Sequence, residues 1–373
     1  MAQANLARPS KIIADRLSRC RRQMKKHRIS AYLISSPTDS FYLAGFSGED
    51  SAVLLTPKEV HLITDRRFEE SSRKECPWAK AWMRKGMLND EIANVSKALK
   101  IKSLAIQSQY MSVASHAALK KLIRSTRLTN APTILSDMRQ VKSSAELVTM
   151  RKAIRVAEDA FVAMRKSIRV GQTELALAAR LEYEMKLRGA SGASFPTICA
   201  EGPNAALPHA SPGSRRVKRG SAVLFDWGAK IGGYCSDLTR MVFIGSMPRK
   251  LEVVYSIVLE AQQRAIAAIR PGRRMCDIDA VARDHITGAG YGEAFGHGLG
   301  HGLGLNVHEA PSLSWRSKEK LVAGMVVTVE PGVYLPGIGG IRIEDDVLVT
   351  PNGRSVMSRL GKNPEDAIIR IGR

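Results

Sequence analysis

The sequence predicts two domains in succession. The first is a compact α/β unit over residues 1–142. The second is an α+β domain over residues 143–373, with helices set on a curved antiparallel sheet. Three observations predict this. The chain has 373 residues, more than one typical core supports. Short apolar strands alternate with helical stretches up to about Ile134. Near residue 140 the pattern changes, first to two long amphipathic helices and then, from 222, to strands rich in Val, Ile, Thr and Phe.

The first thirty residues carry nine Lys/Arg against Asp15 alone, and Ile13, Leu17, Cys20 and Met24 recur at spacings of four, three and four. That is a helix with one apolar stripe docked on a domain and a basic solvent face. The stretch 31–48 reads as a short strand, a Ser/Pro turn and a second apolar run ended by glycines. SAVLLT (51–56) and VHLIT (60–64) look like a hairpin around PKE. SLAIQS (103–108) is a strand and SVASHAALKKLI (112–123) a helix.

From 143 to 169 apolar residues fall at steps of three and four. Ser143 or Ser144 can cap this helix, Glu146 stands where a capping box needs an acid, and Gly171 closes it. A second helix runs from Thr173 to Gly189. Strands follow at 222–229, 234–244, 326–332 and 341–350, with helices at 251–269 and 277–290 between them.

The formal net charge of +22 raises the question of nucleic acid, but the charge is widely spread. No RNA-binding aromatic motif, zinc finger or helix-turn-helix signal accompanies it, so a solvated basic face is the expectation. No apolar run reaches membrane-spanning length, and the basic N-terminus lacks a signal-peptide core. Five scattered cysteines without a CxxC pair suggest reduced thiols, and the expected compartment is the cytoplasm.

Four acids interrupt strands that otherwise read as buried or lie beside them: Asp226, Asp237, Glu330 and Glu344. An unpaired carboxylate there is costly and needs a cation or a strong hydrogen-bond network. A hairpin turning at Ile231–Gly232 would set Asp226 directly opposite Asp237, and like charges so opposed need something positive between them. Glu330 and Glu344 could be related the same way across the turn at 335–340. Four carboxylates match two divalent ions, which would together deprotonate a water near neutral pH. Oxygen-rich ligation with one imidazole suits Mn²⁺ first, with Co²⁺, Fe²⁺ and Zn²⁺ as alternatives.

GHGLGHGLGLNVHE (296–309) holds three of the chain's eight histidines. Glycines at 296, 298, 300 and 302 would let the backbone pass close to a metal centre or substrate. One of His297, His301 and His308 can be a ligand while the others move protons or bind the substrate carbonyl. His308-Glu309 is not an HExxH zinc motif, because no second histidine follows at the required spacing.

These residues resemble the metallopeptidase family of aminopeptidase P, prolidase and methionine aminopeptidase. The pieces FDWGAKIGGYCSDLTR, HGLGHGLGLNVHEAP, VVTVEPGVY and GIRIEDDVLVT stand in the family's order, and LPHA (207–210) resembles its upstream histidine motif. FYLAGFSG and LITDRRF resemble the creatinase-type N-terminal domain, so the resemblance covers nearly the whole chain. It implies a pita-bread catalytic domain behind a smaller creatinase-like domain. It implies that Asp226 and Asp237 bind one metal and that Asp237, His301, Glu330 and Glu344 bind the other, with Asp237 and Glu344 bridging. Glu330 would take the proton of the bridging water. His308 would contact the scissile carbonyl, His297 and His209 would line the substrate site and shuttle protons, and Arg342 would orient carboxylates. Creatinase shares the fold but lacks these ligands, whereas this chain keeps all five.

The implied activity is exopeptidase cleavage at Xaa-Pro bonds, with aminopeptidase P the first choice and Xaa-Pro dipeptidase the alternative. The implied partner is a peptide, and a homodimer is implied by the resemblance alone. A non-catalytic nucleic-acid- or protein-binding relative is the more distant alternative.

Overall fold

In the computed structural model, which describes residues 8–370, the chain divides into two units, Met1–Met138 and Arg139–Arg373. The first unit is a six-stranded mixed sheet flanked by helices. Its strand order is Lys80–Met83, Val60–Thr64, Ala52–Leu55, Tyr32–Ile34, Ser103–Ile106 and Arg127–Asn130. The expected hairpin lies within it, with Leu55 opposite Val60. Helix Lys11–Lys26 buries Leu17, Cys20 and Met24 as the spacing predicts. Arg16 departs from the basic solvent face. It is buried, donates to Tyr42 O at 2.8 Å and stacks on that ring at 4.0 Å. Helices Glu69–Glu75 and Leu88–Ala98 complete the alternation.

The second unit opens with helix Ser144–Lys166, capped by Ser143 and Glu146 in the expected box, and helix Glu174–Leu187, capped by Thr173. Its sheets are open rather than closed. One has the order Ile368–Ile369, Leu238–Ile244, Ala222–Trp227, Ile198–Glu201. A second has the order Glu309–Leu313, Gly300–Gly302, Val326–Val329, Asp345–Thr350, Gly353–Val356. Every ladder in these two sheets is antiparallel except the one between Leu238–Ile244 and Ile368–Ile369. This is the α+β arrangement predicted.

Side-chain alternation decides which face carries the chemistry. In strand Ala222–Trp227, Val223, Phe225 and Trp227 face the Ser144–Lys166 and Glu174–Leu187 helices. There Trp227 stacks on Phe161 at 4.3 Å and donates to Ala157 O at 3.0 Å. Ala222 and Leu224 face the other core, beneath helices Arg249–Ala268 and Met275–Gly288. Asp226 continues that second face.

Candidate metal centre

Each acid sits where a strand is interrupted or ends. Asp226 is the penultimate residue of strand Ala222–Trp227. Asp237 lies in the break between Tyr234–Cys235 and Leu238–Ile244. Glu330 directly follows Val326–Val329, and Glu344 lies between Gly339–Arg342 and Asp345–Thr350. At a break the backbone leaves the ladder, and side chains from different strands can turn toward one point.

The register corrects one expectation. Asp226 stands opposite Thr239, not Asp237. Ile231 pairs with Tyr234, so the turn is Gly232–Gly233, both with positive φ (54° and 84°). The shift is two residues along the partner strand, which preserves the face, so Asp226 and Asp237 are diagonal neighbours instead of opposed ones. For the other pair the expected relation holds. Val329 stands opposite Asp345 and Gly332 opposite Arg342, so Glu330 and Glu344 share one register at the break between the ladders.

The centre closes around His301. Its Nε2 is 3.6 Å from Asp237 Oδ2 and 3.3 Å from Glu330 Oε1. Ligand atoms of Asp237, His301 and Glu344 all lie within 4.8 Å of one another. His301 Nδ1–H donates to Gly302 O at 3.1 Å, which aims Nε2 at the carboxylates; burial opposes charge on this ring, but Glu330 outweighs it and raises the imidazole's pKa. Thr328 Oγ1 accepts from His301 N at 3.0 Å and donates to Glu330 at 3.2 Å. Thr239 Oγ1 donates to Glu344 at 2.7 Å. Asp346 accepts from Asp237 N at 3.2 Å.

One cation serves the cluster from behind. Arg342 donates to Asp226 Oδ2 at 2.6 Å, to Thr239 Oγ1 at 3.0 Å, to Pro208 O at 3.2 Å and to Tyr334 OH at 2.8 Å. That is too little positive charge. Burial, then neighbouring carboxylates, push Asp237 and Glu344 well above the ordinary carboxylate range. Burial also raises Asp226 despite Arg342. Burial opposes ionisation of Glu330 too, but His301 outweighs it and holds this acid below its usual value. Asp226 Oδ1 is buried without a hydrogen-bond partner. Crowded buried carboxylates, an orphan oxygen and an imidazole whose Nε2 is aimed among them fit a pair of divalent cations.

The other predicted residues line the same cavity of about 810 Å³. The His308 ring meets that of His301 edge-on at 4.3 Å, and burial together with His301 lowers its pKa. His209 is exposed at the cavity wall. His297 has both ring nitrogens engaged. Nδ1–H donates to Gly298 O and Nε2 accepts from Tyr334 OH, each at 2.8 Å.

Gly298 and Gly300 line the cavity, and two of the four alternate glycines, Gly300 and Gly302, also serve the packing of strands. A Cβ at Gly300 would sit 2.1 Å from Thr328 O, and one at Gly302 would sit 2.4 Å from Ala310 O. They let the His301 strand pack tightly between its neighbours.

Four supporting residues escaped the sequence reading. Thr239 and Thr328 look like ordinary strand residues, and Tyr334 follows the EPG turn without any charge to mark it. Asp279 lies in helix Met275–Gly288 and accepts from Leu299 N at 3.0 Å, anchoring the glycine-rich segment. Its doublet spacing, Asp277-Ile-Asp279, was the only signal available.

The fold and this ligand cluster define the chain as a metal-dependent peptidase of the pita-bread class. The description "Metallopeptidase family M24" matches residues 148–351, and "Creatinase/Prolidase N-terminal domain" matches residues 16–141. The chain belongs to metallopeptidase family M24. It is similar to an Xaa-Pro dipeptidase of Pyrococcus horikoshii, 37% identical over 90% of this chain and 94% of that one. Among solved structures, an Xaa-Pro dipeptidase from Bacillus anthracis superposes with a TM-score of 0.91 at 36% identity, covering 96% of this chain and 100% of the other. An X-Pro aminopeptidase from Thermotoga maritima superposes at 0.86 with 37% identity, covering 92% and 99%. No helix among the described residues is long and apolar enough to cross a membrane.

Proposed function

We propose that this chain is an Xaa-Pro dipeptidase, with the catalytic domain beginning near residue 143. The carrying observation is the convergence of Asp237, His301, Glu330 and Glu344 with Asp226 in one cavity. Relatives matched over nearly their full length that are Xaa-Pro dipeptidases or prolidases support this substrate class over the aminopeptidase that the sequence put first. The T. maritima structure, of comparable identity, keeps Xaa-Pro aminopeptidase as the second reading.

Asp226 and Asp237 would hold one divalent cation, and Asp237, His301, Glu330 and Glu344 the other. Mn²⁺ is the first candidate, on ligand chemistry. Such a pair supplies Lewis acidity, polarising the scissile carbonyl and acidifying water. The residues do the rest. Glu330, held ionised by His301, accepts the proton of the attacking water and delivers it toward the leaving proline nitrogen. His308, its pKa lowered by partial burial and by His301, donates a hydrogen bond to the carbonyl oxygen as charge develops there. His209 faces the substrate from the cavity wall. His297 braces Tyr334, and Tyr334 braces Arg342, which orients Asp226 and Thr239.

The test is incubation with Mn²⁺ and two substrates, an Xaa-Pro dipeptide and an Xaa-Pro-Yaa-Zaa tetrapeptide, with products followed by mass spectrometry. Cleavage of the dipeptide alone is expected. Release of the first residue from the tetrapeptide would establish the aminopeptidase instead. Cleavage of neither with Mn²⁺, Co²⁺ or Zn²⁺ would remove the catalytic reading.

A further inference from the structure

We propose that one end of the first unit is a docking surface for a double-stranded nucleic acid, gripped through its phosphates; this is independent of the peptidase reading. Residues 16–38 carry seven Lys/Arg and no Asp or Glu, and residues 92–136 carry another seven and again no acid. The fold brings the two stretches together. Strands Tyr32–Ile34, Ser103–Ile106 and Arg127–Asn130 are neighbours and run parallel, so all three begin at one end of the sheet. Each is entered from a helix, Lys11–Lys26, Leu88–Ala98 or Val113–Leu122, through a short basic turn. Ser30 Oγ donates to Ser103 O at 3.2 Å and Arg127 N donates to Lys102 O at 2.9 Å, which ties the turns to one another.

Lysines in the last turn of a helix complement its dipole and need no ligand. Lys25, Lys26, Lys97, Lys120 and Lys121 stand so. The turn cations are different. Arg28, Lys100, Lys102, Arg124 and Arg127 are all exposed, and their side chains make no hydrogen bond or ion pair among the described residues. Arg28 and Lys100 are also the only non-glycine residues with positive φ among the described residues, at 56° and 51°. Each closes its helix in the position that glycine usually takes. Ile29 N donates to Met24 O and Arg28 N to Lys25 O; Ile101 N donates to Ser96 O and Lys100 N to Lys97 O. A side chain strains the backbone there, and glycine would relieve it. Two long cations kept at strained positions on one end of one sheet point to a use for their charge.

Two cavities meet at Arg28. One, of about 610 Å³, reaches from Arg28 to Arg127; the other, of about 710 Å³, reaches from Arg28 to Arg21, Arg22 and Lys25. Glu59, in the turn between Leu55 and Val60 at the same end, is already paired with Lys80. A row of cations without counter-charge fits a ligand whose anions repeat along a chain. No Phe, Tyr or Trp lines either cavity, so an unpaired base has no ring on which to stack, and the contact is to the backbone of a duplex. An anionic membrane fits less well. The apolar stripe of helix Lys11–Lys26, Leu17, Cys20 and Met24, is already buried in the unit and is not free to enter a bilayer.

The experiment is fluorescence anisotropy of the full chain with a labelled, mixed-sequence DNA duplex of about 20 base pairs, over a series of salt concentrations. Affinity falls as roughly the 0.9 power of salt for each phosphate neutralised, so the five turn cations predict a log–log slope of about −4 to −5. Arg28→Gly with Lys100→Gly removes two charges and relieves both strained positions, so Tm should hold or rise. Two lost contacts should flatten the slope by about 1.8 and weaken binding roughly 60-fold at about 0.1 M salt. Lys102→Ala with Arg124→Ala, at positions of ordinary φ, should reproduce that loss. Arg151→Ala with Lys152→Ala removes the same charge from exposed positions of helix Ser144–Lys166 and should leave affinity within about twofold. No duplex binding at about 0.05 M salt, an unchanged slope in both turn variants, or equal weakening by the Arg151 and Lys152 pair overturns the proposal. Phosphatidylserine vesicles and poly-glutamate are the competing probes, and tighter binding of either than of the duplex overturns the assignment to nucleic acid.

Discussion

Arg342→Met is the substitution that most directly tests how the buried acids are compensated. Arg342 and Asp226 form a buried pair, with side chains 4% and 13% exposed. Removing the cation leaves Asp226 buried, with one oxygen already lacking a partner. Breaking a buried pair from one side costs about 3–5 kcal/mol. The lost hydrogen bonds to Thr239, Tyr334 and Pro208 O lie on neutral partners and add roughly 0.5–1.5 kcal/mol each at most. The charge term is the part a metal can replace. With divalent cations at the centre, Asp226 regains a positive neighbour, and the cost should fall toward the neutral hydrogen-bond part, roughly 1.5–4.5 kcal/mol for the three bonds. The assay is urea unfolding of wild type, Arg342→Met and Arg342→Lys, in EDTA and in saturating Mn²⁺, with midpoints and slopes read separately. A metal-free cost below about 1 kcal/mol would refute the ion-pair argument. A cost that does not change on adding Mn²⁺ would refute the assignment of Asp226 to a metal.

Asp237→Ala, which removes the acid shared by both proposed sites, should abolish Mn²⁺ binding in calorimetry and hydrolysis together; retained hydrolysis would sink the assignment. Gly300→Ala would force a Cβ to within 2.1 Å of Thr328 O. It should lower stability by about 1–3 kcal/mol or more and weaken Mn²⁺ binding by displacing His301, read by unfolding and metal titration. Glu309 is buried beside Lys142, at 2.9 Å, and Arg139. Burial opposes its ionisation, but Lys142 and Arg139 outweigh it and hold its carboxyl below the usual range. A folded-state value below the unfolded one gives stability that is present above the unfolded value and is lost as pH falls through the folded one. The stability gap between wild type and Glu309→Gln should therefore be largest near pH 7, about 3–5 kcal/mol, and shrink below pH 4.5 in urea titrations. A gap independent of pH would show that Glu309 is not held ionised by these cations.

Much of the candidate centre was legible because acids in apolar strands are expensive, and expense needs a reason. Asp226, Glu330 and Glu344 betrayed themselves by interrupting or ending apolar strands, Asp237 by its place across the glycine turn from Asp226, and the three histidines by their density. The α/β-then-α+β order was legible for a related reason, since hydrophobic period reports the face each element must bury. The Ser143–Glu146 cap was readable because it is a contact between residues three apart.

Only the tertiary structure decided what depends on partners distant in sequence. Pattern alone could set Asp226 and Asp237 on one face but not their offset, because two turns one residue apart at a glycine pair both preserve alternation well enough to read; the positive φ of Gly232 and Gly233 chose between them. The orientation of His301, the engagement of both His297 nitrogens and the roles of Thr239, Thr328 and Tyr334 are hydrogen bonds, several of them spanning tens to more than a hundred residues. The glycines around His301 looked like room for a ligand and proved also to be room for neighbouring strands, because a missing Cβ does not say what approaches it. The sequence by itself determined which groups are too charged to be buried alone. The fold decided which of them share the same few ångströms, because charge cost is a property of a residue and its environment, whereas proximity is a property of the whole chain path.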